Sequence, residues 1–233
     1  MSFLSKSFAI STTYPKIVTN DLVLNLDAGQ QNSYRGSGTI WTDLSGNRNN
    51  GTLINGPTYS SANGGHLLFD GTNERLDLDS DLNLSTNTGF TMCLFLQQTI
   101  PQTGTGWNYF FNRIDPFIEI GAYGTAGTTF YFKDNNIPVD VTSGNVTTSW
   151  SYIAFGTNPT TRTPFIHRFN SSGYALTTSA TAFSNTTLSF RTMFTGAAAN
   201  YAAKVATIQA YNRVLTATEV TQNFNALRRR FGI

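Results

Sequence analysis

Charge, cysteine and histidine are all scarce in this chain, and each scarcity removes a class of function. Lys, Arg, Asp and Glu make up 12% of the 233 residues, about half the ~25% usual for soluble domains. The net charge of +2 comes with no basic stripe interleaved with aromatics, so no nucleic-acid surface is expected. Cys93 is the only cysteine, which excludes an internal disulfide. Flanked by Met92 and Leu94, it reads as a small buried hydrophobe. Two separated histidines, His66 and His167, do not complete a zinc set with that one thiol. No stretch of about 18 apolar residues occurs, so no membrane-crossing helix is expected. The first residues show neither a continuous apolar segment nor a small-residue cleavage signal, so no secretory peptide is expected. The Asn-x-Ser/Thr triplets at Asn50, Asn83, Asn145, Asn170 and Asn185 are then not expected to carry glycans.

What replaces charge is hydroxyl and amide. Ser, Thr and Asn together number 77 of 233 residues, a composition suited to turns and sheet faces. Such groups lose water more cheaply than ions do, so the surface also suits close protein–protein packing. A chain of this length fits one large all-β domain with its own core.

Period-two alternation dominates from residue 21 onward. Phe90, Met92, Leu94 and Leu96 share one face of a strand, while Thr91, Cys93, Phe95 and Gln97 take the other, so both sides are expected to be covered. Thr128–Lys133, Trp150–Phe155, Phe165–Phe169 and Val205–Tyr211 read as further strands. The clusters at Thr103–Gly106, Gly121–Gly124 and Asp134–Asn136 read as turns. This pattern predicts an antiparallel two-sheet β-sandwich of jelly-roll type. Residues 1–20 lack any firm period and read as an N-terminal arm, leaving 21–233 as the sandwich domain. The arm's Phe3, Leu4 and Phe8 are candidate docking residues for a neighbouring subunit.

One α-helix is expected near the C-terminus. Thr216-Ala-Thr-Glu219 has the form of a capping box, and Val220, Phe224, Leu227 and Phe231 follow at helical spacing as one apolar stripe. Arg228, Arg229 and Arg230 are expected in its last turn before Gly232, where cations complement the helix dipole. A docking patch for an acidic neighbour is the alternative reading of these arginines.

The carboxylates do not form a glycosidase pair. Hydrolysis of a glycosidic bond needs two of them about 5–5.5 Å or about 6.5–9.5 Å apart across a cleft. Glu119 stands alone, and Asp77 and Asp79 read as a solvated strand face preceding an acidic turn at Ser80-Asp81. Neither histidine sits in a nucleophile-elbow or cysteine-protease context. The chain is therefore expected to be non-enzymatic. For sugar binding, Trp107, Asn108, Tyr109 and Arg113 gather an aromatic platform, an amide and a guanidinium in one segment. The alternative is that Trp107, Tyr109 and Phe111 are core residues. Asp43, Ser45, Asn47 and Asn49 alternate oxygen groups as a hard-cation loop does. Arg48 and Ile54 stand where an EF-hand needs Gly and Glu, which excludes that motif.

Both ends of the chain carry family-like sequence. Leu22-Val-Leu-Asn-Leu-Asp27-Ala-Gly, then Trp41-Thr-Asp43-Leu-Ser-Gly46 with its Asn-rich sequel, then Phe69-Asp70-Gly71, open the domain. Tyr211-Asn-Arg213-Val, the capped helix and Arg-Arg-Arg-Phe231-Gly232 close it. This order resembles the laminin-G-like, concanavalin A-type sandwiches of bacteriophage virion proteins. The resemblance implies a location in the virion. It also implies a role as an outer capsid decoration or fibre-type subunit, docked on major capsid or tail subunits or on further copies of itself. A carbohydrate-binding adhesin that recognises host surface polysaccharide is the alternative. It further makes Trp41 a packing residue and makes Asp27, Asp43 and Asp70 candidate calcium ligands at the sandwich edge. Turn capping by these side chains is the other reading. No other cofactor is implied.

Overall fold

Strands are the dominant secondary structure of the computed structural model, which describes residues 15–99, 107–114, 117–123, 129–134, 148–194 and 201–233. Among these residues the strands are, in chain order, β1 (Leu22–Asp27), β2 (Ile40–Trp41), β3 (Gly51–Ile54), β4 (Thr58–Ser60), β5 (His66–Phe69), β6 (Arg75–Ser85), β7 (Phe90–Gln98), β8 (Trp107–Ile114), β9 (Phe117–Tyr123), β10 (Thr129–Asp134), β11 (Ser151–Thr157), β12 (Pro164–Asn170), β13 (Gly173–Thr178), β14 (Thr187–Met193) and β15 (Ala203–Tyr211). One sheet runs β13-β12-β11-β7-β15-β5-β4, with β1 also paired to β15. The other runs β10-β9-β8-β14-β6-β3-β2. All pairings are antiparallel. The expected two-sheet sandwich is the observed fold.

Strand β7 shows how alternation builds it. Phe90, Met92, Leu94 and Leu96 point into the core between the sheets, among Trp41, Leu76, Ile153 and Ile208. Cys93 and Phe95 point the other way, into a second cluster with Tyr152, Phe169, Phe224 and Phe231. Both faces of the strand are covered because α1 (Ala217–Leu227) lies across the outer side of the first sheet. A register shift between Leu22 and Leu24 lets β1 serve both layers. Leu22 joins the outer cluster, while Leu24 and Leu26 join the inner core. An extra residue in one strand of a ladder has this effect.

The helix begins as its sequence predicts. The Glu219 amide donates to Thr216 Oγ1 at 3.2 Å, and the Thr216 amide donates to Glu219 Oε2 at 2.9 Å. Val220, Phe224 and Leu227 are buried beneath it. It does not continue through the arginines. The α-helix stops at Leu227, and Arg228–Phe231 form a tighter 3-10 turn that closes on Gly232 at φ +70°. That tightening swings Phe231 under the helix, where it stacks on Phe95 at a centroid distance of 3.9 Å.

Two turn expectations need correction. Gly121, Ala122 and Tyr123 are strand residues of β9, paired with β10 and β8. Ser80 and Asp81 lie inside the 11-residue β6, where a register irregularity opposite β14 turns Asp79, Ser80 and Asp81 outward without ending the strand. The Thr103–Gly106 turn and the arm residues Phe3, Leu4 and Phe8 lie outside the described residues.

Candidate functional site

The residues that carry the family resemblance turn out to be fasteners. Asp43 Oδ1 accepts from the amides of Asn25 (2.8 Å) and Ser45 (2.9 Å), and its Oδ2 accepts from Ser45 Oγ (2.7 Å) and the Asn49 amide (3.0 Å). Asn47 and Asn49 donate through their side chains to the carbonyls of Leu22 and Val23. The Asn-rich loop is thereby stitched to β1. At the other end, Tyr211, Asn223 and Val18 close a small network. Asn223 donates to the Tyr211 hydroxyl, which donates to the Val18 carbonyl, and the Val18 amide returns to Asn223 Oδ1. Arg213 pairs with Glu219 at 2.6 Å and holds that carboxyl down to about 2. Trp41 is fully buried in the inner core, as the resemblance implies.

Asp27 and Arg230 form a further long-range fastening. Arg230 Nη1 lies 2.9 Å from both Asp27 oxygens, and Nη2 donates to the carbonyls of Gly64 (3.0 Å) and Gly65 (3.3 Å). The Asp27 carboxylate also accepts from the Gly29 amide at 2.8 Å. Glycines are required where these segments cross. A Cβ on Gly29 would strike the Gly64 carbonyl and the guanidinium, and Gly65 stands at φ +103° against Ala28.

These contacts favour turn capping and clamping over calcium for Asp43 and Asp27. A calcium site needs oxygen lone pairs turned to a common point, but a carboxylate offers only about four acceptor positions. Four protein donors already occupy those of Asp43, and a guanidinium occupies those of Asp27. Asp70 accepts from the Thr72 amide at 2.7 Å, and the neighbouring Glu74 side chain holds it below the ordinary carboxylate range. Among the described residues no three of His, Cys, Asp and Glu gather as a metal site. Arg230 is likewise not a free docking cation, because its charge is turned inward. Arg228 and Arg229 are exposed.

The segment expected to hold a sugar platform is strand β8, between β9 and β14. Its Phe110 and Phe111 are both buried, because a register shift between Tyr109 and Phe111 breaks the alternation. The side chains of Trp107, Asn108, Tyr109 and Arg113 lie outside the described residues.

An exposed aromatic platform occurs elsewhere. On the outer face of the first sheet, Phe95, Tyr152, Phe169 and Tyr174 are successive cross-strand neighbours from β7 out to the edge strand β13. The helix covers the first three. Tyr174 lies beyond it and is 50% exposed, with Leu176 beside it at 49%. The Tyr174 ring is held at 4.7 Å from Phe169 and 5.9 Å from His167, and its hydroxyl bonds His167 Nδ1 at 2.9 Å. Burial lowers the His167 pKa and raises that of Tyr174, so at neutral pH both are uncharged.

Tyr174 lines an open groove of about 490 Å³ with Phe169, Asn170, Phe224, Arg228 and Ile233. That volume falls within the range of small-ligand sites. Two polar groups in it are fixed by their surroundings. Asn170 Oδ1 accepts from the Ser172 amide at 2.9 Å, and its Nδ2 is buried in the groove wall without a protein partner. The Arg228 guanidinium stands over the Phe224 ring at 5.5 Å. The Asn170-Ser-Ser-Gly173 turn, with Gly173 at φ +107°, places these groups beside the helix end.

The sequence reading missed this groove because β13 was not recognised. The turn-forming run Asn170–Gly173 followed by alternating Tyr174 and Leu176 was the available signal. His66 is a structural residue: its Nδ1 lies 3.1 Å from the Ala62 carbonyl, and its ring meets Trp150 edge-on. Cys93 is buried as expected, and burial pushes its thiol up to about 12.

No protein-family model matches the chain, and no curated protein matches it. Solved structures do. Domain 4 of AbnA, a GH43 extracellular arabinanase from Geobacillus stearothermophilus in complex with arabinotriose, is similar with a TM-score of 0.62 at 15% identity. That match covers 87% of this chain and 98% of that one. Trypanosoma rangeli sialidase in complex with sialic acid is similar with a TM-score of 0.61 at 12% identity, over 94% of this chain and 36% of that one. The chain thus spans only about a third of the sialidase. At these identities the likeness establishes the sandwich fold.

Proposed function

We propose that this chain is a non-catalytic carbohydrate-binding sandwich, with the groove at Tyr174 as its sugar site. The observation that carries the reading is the half-exposed Tyr174 ring, fixed from below and beside, next to an unpartnered amide donor and a guanidinium. Sugar rings present apolar C–H faces that rest on aromatic rings, and their oxygens accept from fixed donors. The sandwich likeness supports the reading too, since the similar AbnA domain is seen with arabinotriose. A non-catalytic role agrees with the carboxylates, because Asp27, Glu219 and Asp77 are each paired with an arginine.

The sequence resemblance of both chain ends supports placing this binder on a bacteriophage virion. There it would act as a surface adhesin for host polysaccharide, held to capsid or tail subunits through its N-terminal arm. A purely structural decoration or fibre role rests on the same resemblance, and the groove favours the adhesin.

The test is a glycan array probed with the intact chain, Tyr174→Ala and Trp107→Ala. The expected result is a class of bound glycans whose affinity falls at least about tenfold, or ~1.4 kcal/mol, in Tyr174→Ala alone. Binding lost in Trp107→Ala and kept in Tyr174→Ala would move the site to β8. Binding to no glycan would overturn the proposal.

A further inference from the structure

We infer that the groove selects sugars bearing a carboxylate over their neutral counterparts; this rests on the carbohydrate reading of the same groove. The two side-chain groups fixed there are both donors. Asn170 holds an unpartnered Nδ2 in the groove wall, its oxygen already accepting from Ser172. Arg228 presents a guanidinium, which has five N–H donors and no acceptor. Among the described residues no Asp or Glu lines the groove, and Arg228 forms no ion pair, whereas Arg230 in the same turn is held by Asp27.

A neutral sugar hydroxyl both gives and accepts, so a donor-only pair satisfies half of its capacity. A carboxylate only accepts, and its two oxygens match the planar fork of a guanidinium. The contact with Phe224 restrains Arg228 at 5.5 Å from the ring centroid, so little freedom is lost when the anion arrives. Apart from Ser171 and two glycines, the rest of the described lining is apolar, from Phe169, Phe224 and Ile233, and Tyr174 offers the ring face against which a pyranose rests. The ligand that meets all of these groups is an acidic sugar, a uronate or a sialate.

The experiment is calorimetric titration of the intact chain with oligogalacturonate, oligomannuronate and oligosialate, each against its carboxyl-reduced form. At least one acid form should bind about tenfold or more tighter than its reduced partner. Because the guanidinium is exposed, that advantage should shrink as salt shortens the screening length. Arg228→Gln should weaken the acid form at least about tenfold and the reduced form by much less, so that the gap between the two closes. Tyr174→Ala should weaken both. Reduced sugars that bind as well as the acids, with loss in Tyr174→Ala, would overturn the charge preference and leave the sugar groove standing. Binding of either form that survives Tyr174→Ala undiminished, or no binding by any of them, would overturn the groove reading itself.

Discussion

Two parts of one surface, the centre and the edge of the first sheet's outer face, begin from the same chemistry and end differently. Phe95, Tyr152 and Phe169 on β7, β11 and β12 are aromatic, and so is Tyr174, the next residue across on β13. The first three are core because α1 and the 3-10 turn lie over them. Phe224 stacks on Phe169 at 4.5 Å and Phe231 on Phe95 at 3.9 Å. Tyr174 stands one strand further out, past the reach of the helix. Whether an aromatic residue stabilises the fold or offers a platform is settled here by where a neighbouring element stops. The centre is fastened by long-range contacts from both chain ends, whereas the edge keeps an unpartnered amide and a solvent-facing ring. That contrast marks the edge as the place where a ligand can add contacts.

The contrast can be broken most forcefully at the centre. Phe95→Ala removes a fully buried ring from beneath the helix and should cost about 3–5 kcal/mol of stability, read by urea unfolding. A cost under about 1 kcal/mol would mean that the helix does not press on the sheet. Next comes the clamp. Arg230→Met leaves the Asp27 carboxylate buried without its cation and should cost about 3 kcal/mol. Adding Asp27→Asn should recover part of the loss, and simple additivity of the two would contradict direct coupling. Thr216→Ala should cost about 1 kcal/mol by removing the cap, with the loss of stability measured by thermal melting.

A pH titration probes the edge more gently. His167 and His66 are held below their ordinary value of 6.5, in both cases chiefly by burial. The folded state therefore resists protonation that the unfolded state accepts, so stability is full above about pH 6.5 and falls as the pH drops below it. Glu219, held down to about 2, contributes its loss only below about pH 4.5. Between these limits the histidines' loss is offset, among the described residues, only by Glu74, whose carboxyl burial holds above its ordinary value and which gains stability as the pH falls. His167→Gln should flatten part of that slope, and an unchanged slope would remove His167 from the account.

Much of the fold was legible in the sequence because the signals are local. The two-faced alternation of Phe90–Gln97 required cover on both sides, and Thr216-Ala-Thr-Glu219 with its apolar stripe required a helix to provide one of them. The end of the helix was not legible. Three arginines fit an α-helical last turn by dipole reasoning, but Arg230 is drawn to Asp27, 203 residues away in sequence, and the tighter turn follows. The candidate site was less legible still. Asn170, Tyr174 and Arg228 lie far apart in the chain and meet only because β13 pairs with β12 beside the helix end. The resemblance pointed instead at Asp27, Asp43 and Asp70, of which the first two are consumed in fastening the C-terminal turn and the Asn-rich loop.

The most direct test of the central claim is a backbone-amide NMR titration of the intact chain with a glycan taken from the array. Tyr174→Ala serves as the paired control, with thermal melting to show that the variant remains folded after losing its bond to His167. The account predicts shifts concentrated at residues 169–176 and 228–233 and absent from the variant. Shifts concentrated on Trp107–Ile114, or unchanged in Tyr174→Ala, would contradict it.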